Sequence, residues 1–354
     1  MTQHPSTVTV QQSFPDPRPT TNPYIVMLRD HLATTPGVAV RTFSWRRAIL
    51  GHYDVFHAHW PEILVSGASK PKRAVRQLLT LVLLAKLAVT RTPIVRTLHN
   101  LHRPSGISRI EHALLGLFER RTAFVIVLNE QTVPPEGVGS AVIPHGHYRD
   151  WYARHPQREA VEGRLSYFGL IRRYKGVDGL LRAFSALPGG DRSLRVAGRP
   201  SSEALAADLR SLAADDDRID LSLEFLSDAE LVDVARQGEL VVLPYREMHN
   251  SGGALAALSV DRPVLVPANA VNDRLAAEVG QGWVVQYDGD LDASDLERAL
   301  DAVRDPSRGP SPDLSARDWD LAGQLHLAAY RAALGHGRPE APGAPVRRVG
   351  NRAI

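Results

Sequence analysis

The stretch YFGLIRRYKG, residues 167–176, is followed later in the chain by LPYREMHNSGGALAALSVDRPVLVP, residues 243–267. Each begins with a short apolar run, typical of a buried parallel strand, and becomes polar where a strand would turn into a helix. The first turn carries Arg172 and Lys175, and the second carries Ser-Gly-Gly at 251–253. Cations and the free N–H groups of a helix start both favour an anion. The two segments together predict a diphosphate site on an α/β sheet.

Outward from these segments, short apolar runs alternate with amphipathic stretches along the chain. This alternation predicts parallel strands connected by helices. The predicted strands are 8–11, 38–43, 55–59, 94–98, 124–128 and 141–144, then 164–169, 193–198, 221–225, 240–244, 264–267 and 282–286. The predicted helices are 22–33, 71–89, 108–121, 177–186, 202–214, 228–237, 252–260, 292–303 and 316–333. Two sets of six strands imply two Rossmann-like domains.

These elements divide the chain into four parts. We place the first domain at 1–148, the second at 149–312 and a helix that crosses back to the first domain at 313–334. The tail at 335–354 is rich in Pro, Gly and Arg, with few large apolar groups, and we predict that it is disordered.

Composition excludes several classes of protein. The 354 residues contain no cysteine, which rules out disulfides, thiolate metal sites and cysteine nucleophiles. The first twenty residues have neither a basic nor an apolar signal region, so we expect a cytoplasmic protein. The 42 Lys and Arg against 39 Asp and Glu are too balanced to predict nucleic-acid binding.

The order Gly169, Arg172, Lys175, Gly176 resembles the donor turn of the GT-B glycosyltransferases in the large retaining family that uses nucleotide-diphosphate sugars. The resemblance covers most of residues 20–332. It implies two Rossmann-like domains with parallel sheets facing a cleft, the acceptor in the first domain and the donor in the second. It also implies a set of donor-binding residues: Gly169, Arg172, Lys175, Arg199, Asn250, Ser251, Gly252 and Gly253.

Met248 and Ala256 occupy the positions of two glutamates that this family carries, when Pro263 anchors the register. Some exopolysaccharide glycosyltransferases, the xanthan-type glucuronosyl and β-mannosyl enzymes among them, also lack this pattern, and those enzymes invert configuration. We therefore favour inversion, which requires a base from the first domain.

The resemblance implies transfer of a hexose or uronic acid from a GDP- or UDP-sugar to a saccharide acceptor, lipid-linked in many such enzymes, without a metal or other cofactor. Arg172 and Lys175 would neutralise the departing diphosphate. Two rival functions remain open: an epimerase or hydrolase that acts on the nucleotide sugar alone, and a noncatalytic partner that binds it. The chain lacks G-x-G-x-x-G in its first loop, which disfavours a dinucleotide oxidoreductase.

Loops at the carboxyl ends of the first-domain strands are expected to hold the acceptor. Asn22 and Tyr24 follow the first strand and could contact it, although Asn22 could equally be only a helix cap. HAHWPE places His59, Trp60 and Glu62 at a strand end, where Trp60 could stack on a sugar ring. Glu62 is the first candidate for the base, and His59 could also take the proton.

His99 follows the fourth strand and matches a histidine that faces the cleft in GT-B relatives. It is the second candidate for the base, or a hydrogen-bond donor to the transferring sugar. His59, His99 and His102 are possible zinc ligands by type. No carboxylate at ligand spacing accompanies them, so we predict no metal site.

Residues 70–92, KPKRAVRQLLTLVLLAKLAVTRT, begin with cations and continue into an apolar block. The apolar run at 78–85 is too short to cross a bilayer, which takes about 20 residues. Two interpretations remain open: a helix that meets anionic lipid at the membrane surface, and a buried domain helix with a solvated basic start.

Overall fold

The computed structural model describes residues 7–335 except 19, 101 and 105, so the predicted disorder of the tail concerns residues that lie outside the described part, apart from Gly335. Two six-stranded parallel sheets form the framework, as the sequence predicts. The first sheet has the order β2-β1-β3-β4-β5-β6 and the second the order β12-β11-β10-β7-β8-β9. The strands are β1 Val8–Gln12, β2 Val38–Arg41, β3 Val55–Ala58, β4 Ile94–Leu98, β5 Thr122–Val127, β6 Gly139–Val142, β7 Val161–Phe168, β8 Ser193–Ala197, β9 Ile219–Ser222, β10 Gly238–Val242, β11 Val264–Pro267 and β12 Val284–Tyr287.

Helices connect the strands and cover the sheets. They are α1 Pro23–Thr34, α2 Trp45–Leu50, α3 Glu62–Val65, α4 Lys70–Val89, α5 Arg109–Arg120, α6 Arg149–Tyr152, α7 Val177–Ser185, α8 Glu203–Ala213, α9 Asp228–Gln237, α10 Gly252–Ser259, α11 Ala270–Val279, α12 Ala293–Val303 and α13 Trp319–Gly335. The sequence did not predict α2, α3, α6 or α11. Three of these have only four to six residues, too few to show a helical period.

The central strands are buried on both faces, which explains their continuous apolar runs. β3 is buried at every position, and β10 is buried at four of its five positions. Several helices begin at side-chain caps, as in α5, where Ser108 and Glu111 form a reciprocal capping box.

The last helix, α13, crosses back to the first domain and packs against α1 and the first sheet. Its Tyr330 is fully buried. At its start, the indole N–H of Trp319 donates to the carbonyl of His147 at 2.7 Å. A Cβ on Gly146 would lie 2.3 Å from the Trp319 ring, so this ring lies directly on the connection between the domains.

Candidate active site

The first segment quoted above forms a tight turn after β7. Gly169 has a φ of +107° and Gly176 a φ of +65°, in the region that favours glycine. A Cβ on Gly176 would lie 2.0 Å from the carbonyl oxygen of Pro244, just after β10. Glycine therefore allows the turn after β7 to pass against the turn after β10.

The turn after β7 lies beside the start of α10. The backbone N–H of Arg246 donates to the carbonyl of Tyr174 at 2.8 Å. The Lys175 ammonium lies 4.9 Å from the centroid of the Tyr245 ring. The hydroxyl of Tyr245 hydrogen-bonds Ser251, whose side chain caps α10. The structure thus brings together the two segments that the sequence paired.

Arg172 and Lys175 have no carboxylate partner within the described part of the chain, whereas the exposed Arg173 between them pairs with Asp208 at 3.1 Å. Among the described residues, the half-buried Arg172 donates only to the carbonyl of Ile171, at 2.9 Å. Burial lowers the pKa of the Lys175 ammonium, and the nearby charge of Arg172 contributes in the same direction. Two uncompensated cations beside the start of a helix favour the binding of an anion.

The backbone of Arg199 lies close to the same turn after β7. The N–H of Ile171 donates to the Arg199 carbonyl at 2.9 Å, and a Cβ on Gly198 would lie 1.8 Å from the Gly169 oxygen. The Arg199 side chain is exposed. Its backbone is therefore next to the anion site, and its side chain is free to approach a ligand there. The N-terminal N–H groups of Gly252 and Gly253 have no intrahelical partner.

The loop before α10 contacts the first domain directly. The side-chain amide of Asn129 donates to Oδ1 of Asn250 at 2.8 Å, and Thr132 Oγ1 lies 2.6 Å from His249 Nε2. Nδ2 of Asn250 donates to the carbonyl of His99 at 3.4 Å. Asn250, predicted as a donor ligand, spans the cleft in this structure.

A cavity of about 350 Å³ lies between the domains on this side of the cleft. Amide side chains from both domains line it: Asn22, Asn100, Asn129, Gln131, Asn250 and Asn272. Amides offer both donors and acceptors, which suits the hydroxyl groups of a saccharide. Arg172, Lys175 and Arg199 are not part of this lining, whereas Ser251 and Gly252 are, so the start of α10 lies beside both the cavity and the two cations.

Aromatic rings form the first-domain side of the cavity. Trp60 stacks on His99 with centroids 4.1 Å apart and an angle of 19°, and both line the cavity. The buried Tyr24 packs edge-on against His99, with centroids 5.3 Å apart, and packs at a tilt of 39° against His145, with centroids 4.4 Å apart. Asn22 caps α1 by accepting from the N–H of Tyr24 at 3.0 Å, and it also lines the cavity. Tyr24 therefore supports the site from behind.

Glu62 lies apart from this cavity. It is the first residue of α3 and does not belong to the cavity lining. Its charge acts on Arg96 and Arg103, and its Oε2 is buried without a hydrogen-bond partner in the described part of the chain.

His59 is buried behind His99. Its Nδ1 lies 3.3 Å from His99 Nε2, and its Nε2 lies 3.2 Å from Gln12 Oε1. Burial lowers the pKa of His59 well below its ordinary value, and it lowers the pKa of His99 to about 3. Both imidazoles are therefore neutral near pH 7.

The sequence analysis did not identify the cavity residues after β5 or those on α11. Residues 129–131 are Asn-Glu-Gln directly after a buried strand, a signal that the rule for carboxyl ends of strands could have found. Asn269 caps α11 through two backbone N–H groups, and Asn272, Arg274 and Glu278 on that helix line the cavity.

Helix α4 has a partly unpartnered surface. Five apolar residues at spacings of three and four are exposed along one face: Val75, Leu78, Val82, Ala85 and Val89. Lys70 and Lys72 are exposed at its start, whereas Arg76 donates to the carbonyls of Ile63 and Ser66. Within the described residues, none of the helices has the length and apolar character needed to cross a membrane.

Comparison with known proteins agrees with this arrangement. Two curated proteins from Xanthomonas campestris pv. campestris, each named GDP-mannose:glycolipid 4-beta-D-mannosyltransferase, are 44% identical to this chain over 328 residues, 93% of each chain. Anabaena Alr3699/HepE with UDP and glucose has a TM-score of 0.57 at 13% identity, covering 93% of this chain and 98% of its own. AviGT4, a glycosyltransferase of avilamycin A biosynthesis, has a TM-score of 0.55 at 16% identity with the same coverage. No protein-family model matches the chain.

Two Rossmann-like domains, the structural neighbours and the curated relatives together define a GT-B glycosyltransferase, which moves a hexose from a nucleotide sugar to a saccharide acceptor. Within that class, the chain belongs to the family of the GDP-mannose:glycolipid 4-beta-D-mannosyltransferases. The predicted likeness to xanthan-type enzymes is confirmed.

Proposed function

We propose that this protein transfers mannose from GDP-mannose to O4 of the terminal sugar of a glycolipid, with a β linkage. The donor and acceptor are those in the names of relatives that match 93% of the chain. The observation that carries the proposal is the pair Arg172 and Lys175, two cations without carboxylate partners in the described part of the chain, beside the start of α10.

The diphosphate would bind to Arg172, Lys175 and the N–H groups of Gly252 and Gly253. These groups face a leaving group whose negative charge grows as the sugar departs, so they stabilise the transition state more than the ground state. Because they supply this positive charge, we propose that the reaction needs no divalent metal ion and no other cofactor.

A β product from an α-linked donor requires inversion, and inversion needs a base on the face opposite the diphosphate. Glu62, His99 and His59 are the candidates from the sequence. His59 is buried behind His99. His99 lines the cavity between the domains, whereas Glu62 does not, and its charge acts on Arg96 and Arg103. We therefore assign the base to His99.

The acceptor is a glycolipid, so the first domain must approach a membrane. We propose that α4 rests on the inner face of the cell membrane, with the stripe of Val75, Leu78 and Val82 in the lipid boundary. Lys70 and Lys72 lie at the start of the same helix and complement anionic headgroups.

The donor is tested by calorimetric titration with GDP-mannose, GDP, UDP-glucose and UDP. We expect the two guanine nucleotides to bind and the two uracil nucleotides to bind at least tenfold more weakly. Product from GDP-mannose and a glycolipid acceptor is then analysed by NMR, where a β-mannosyl anomeric signal is expected. An α-mannosyl product would refute inversion, and nucleotide release without any acceptor would indicate a hydrolase instead.

Arg172→Ala and Lys175→Ala test the anion site, and Arg173→Ala is the matched control because Arg173 pairs with Asp208 on the surface. Loss of one such contact should cost about 2 to 4 kcal/mol of transition-state stabilisation, roughly a 30- to 1000-fold fall in turnover. The control should stay within about twofold. Equal turnover in all three variants would contradict the proposal that the diphosphate binds at this turn.

Membrane contact is tested by sedimentation with vesicles of phosphatidylglycerol and phosphatidylcholine. The triple change Val75→Ser, Leu78→Ser and Val82→Ser should release the protein into the supernatant, because it removes the apolar stripe. A control with Val133→Ser, which removes an exposed valine elsewhere, should sediment like wild type. Wild-type protein that stays in the supernatant at low salt would contradict the proposal.

A further inference from the structure

A chain of buried polar groups runs behind His99 to the last helix. His59 lies between His99 Nε2 and Gln12 Oε1, at 3.3 Å and 3.2 Å. Nε2 of Gln12 donates to the Tyr330 hydroxyl at 3.5 Å, and that hydroxyl lies 2.8 Å from His57 Nδ1. Gln12, His57 and Tyr330 are completely buried, and His59 is 2% exposed. In such a chain of buried groups, each hydrogen-bond donor must face an acceptor, so all the hydrogen bonds must run in one consistent direction.

The orientation of the Gln12 amide sets that direction. Its oxygen faces His59 Nε2, so this nitrogen must carry the proton. A neutral His59 then has a lone pair on Nδ1, which can only accept the proton on His99 Nε2. A neutral His99 is left with a lone pair on Nδ1.

The other end of the chain agrees. Because the Tyr330 hydroxyl oxygen accepts from Gln12, the hydroxyl donates its hydrogen bond to His57 Nδ1. His57 then donates from Nε2 to Thr97 Oγ1 at 2.9 Å. Every buried group from Thr97 to His99 has a partner in this direction.

We propose that Gln12, acting through His59, fixes the tautomer of His99 whose Nδ1 lone pair receives the proton of the acceptor hydroxyl. Gln12 and His59 are positioning residues, and His99 touches the substrate. This inference rests on the proposed function, and it specifies how the base of that reaction is prepared.

The geometry of His99 suits this role. Its ring is held between Trp60 and Tyr24, at 4.1 Å and 5.3 Å. In the described part of the chain, its Nδ1 has no hydrogen-bond partner, and its ring lines the cavity. Only Nδ1 is therefore available to a ligand.

In the reaction, the O–H bond of the acceptor breaks and its proton moves to His99 Nδ1. The acceptor oxygen bonds the anomeric carbon, and the diphosphate oxygen leaves with the electron pair of the broken bond. The new imidazolium still donates a hydrogen bond from its Nε2–H to the lone pair on His59 Nδ1. His59 thus orients the ring, as the third member of a catalytic triad does. Bound diphosphate adds negative charge, which favours the imidazolium.

The tautomers are read directly by NMR. Protein labelled with ¹⁵N-histidine is observed at pH 7.5 in spectra that correlate ring nitrogens with ring protons, and the His99→Gln variant assigns the signals. We expect His59 and His99 both to be neutral and protonated on Nε2. Protonation of His99 on Nδ1 would overturn the proposal, whatever the activity of the enzyme.

Gln12→Met tests the control exerted by Gln12. We expect His99 to leave the pure Nε2–H form and kcat to fall about 10-fold or more, the scale for loss of a supporting hydrogen bond, with KM for GDP-mannose and the affinity for GDP unchanged. Unchanged tautomer and kcat would refute the role of Gln12.

Gln11→Met is the matched control. Gln11 is also fully buried on β1, but its side chain donates to the carbonyls of Gln12, Arg41 and Thr42 rather than to a histidine. The tautomer of His99 and kcat should stay as in wild type. If Gln12→Met does not fold, the wild-type spectrum decides. If the protein binds no GDP-mannose, the proposed function fails, while the tautomers remain measurable.

Discussion

At the scale of residues, Glu62 and His99 can be separated by experiment. Because Glu62 lies outside the cavity lining and His99 within it, Glu62→Gln should keep kcat within a few-fold of wild type. His99→Gln should lower kcat by about 100-fold or more, the usual scale for loss of a general base. Both are measured as mannosyl transfer with saturating GDP-mannose. A collapse of kcat in Glu62→Gln with normal transfer by His99→Gln would return the base to the carboxylate.

These residues also show how far sequence predicts a site. The sequence predicted that His59, Trp60 and Glu62 share the end of one strand, and the structure places them there, since β3 ends at Ala58. It could not predict which side chains point to the cleft. That depends on α3, whose single turn begins at Glu62, and the charge of this carboxylate acts on Arg96. A four-residue helix has no periodic pattern to read.

At the scale of elements, every strand and most helices were predicted. Most of these elements bury an apolar run or face, although the edge strands β6 and β9 have no fully buried residue. Helix α11 was missed although Asn269 caps it. Its buried residues are Asn272, Leu275 and Val279, and the asparagine interrupts the apolar pattern. That polar position is part of the cavity lining, and it concealed the helix.

The contact of α13 with the domain connection gives a prediction about stability. Gly146→Ala should destabilise the protein by about 1 to 3 kcal/mol, because the new methyl group would overlap the Trp319 ring, 2.3 Å away. Gly179→Ala is the control: it lies in α7, nothing lies within 4 Å of its added Cβ, and alanine is the better helix former. Urea unfolding measures both. Equal midpoints for wild type and Gly146→Ala would show that Trp319 does not press on this turn.

At the scale of the whole molecule, the two domains are connected by more than the chain. The loop before α10 bonds the loop after β5 through Asn250 and Asn129. Arg274 and Glu130 form a second link across the cleft at 2.6 Å. No sequence pattern within one domain could predict these bonds. Each partner has the sequence features of an ordinary loop residue, and its partner is known only when the positions of both domains are known.

The buried histidines around this cleft make the stability of the whole protein depend on pH. Burial lowers the pKa of His145 and His326 to about 4, below the ordinary value of 6.5. The unfolded chain therefore takes up protons, as the pH falls below 6.5, that the folded protein does not. The stability contributed by these groups is complete above pH 6.5 and is lost as the pH falls toward 4.

We expect each of these two histidines to cost about 2 kcal/mol of unfolding free energy between pH 6.5 and pH 5. Carboxylates such as Glu111, whose pKa is lowered from 4.5, contribute below this window, so the window isolates the histidines. Urea unfolding at pH 7.5, 6.5, 5.5 and 5.0 measures the effect. His326→Leu should make the unfolding free energy depend less on pH, because leucine takes up no proton. His326 Nε2 has no hydrogen-bond partner in the described part of the chain, so the substitution breaks no bond at this atom. A midpoint that is constant from pH 7.5 to pH 5.0 in wild type would mean that these imidazoles are solvated and ordinary.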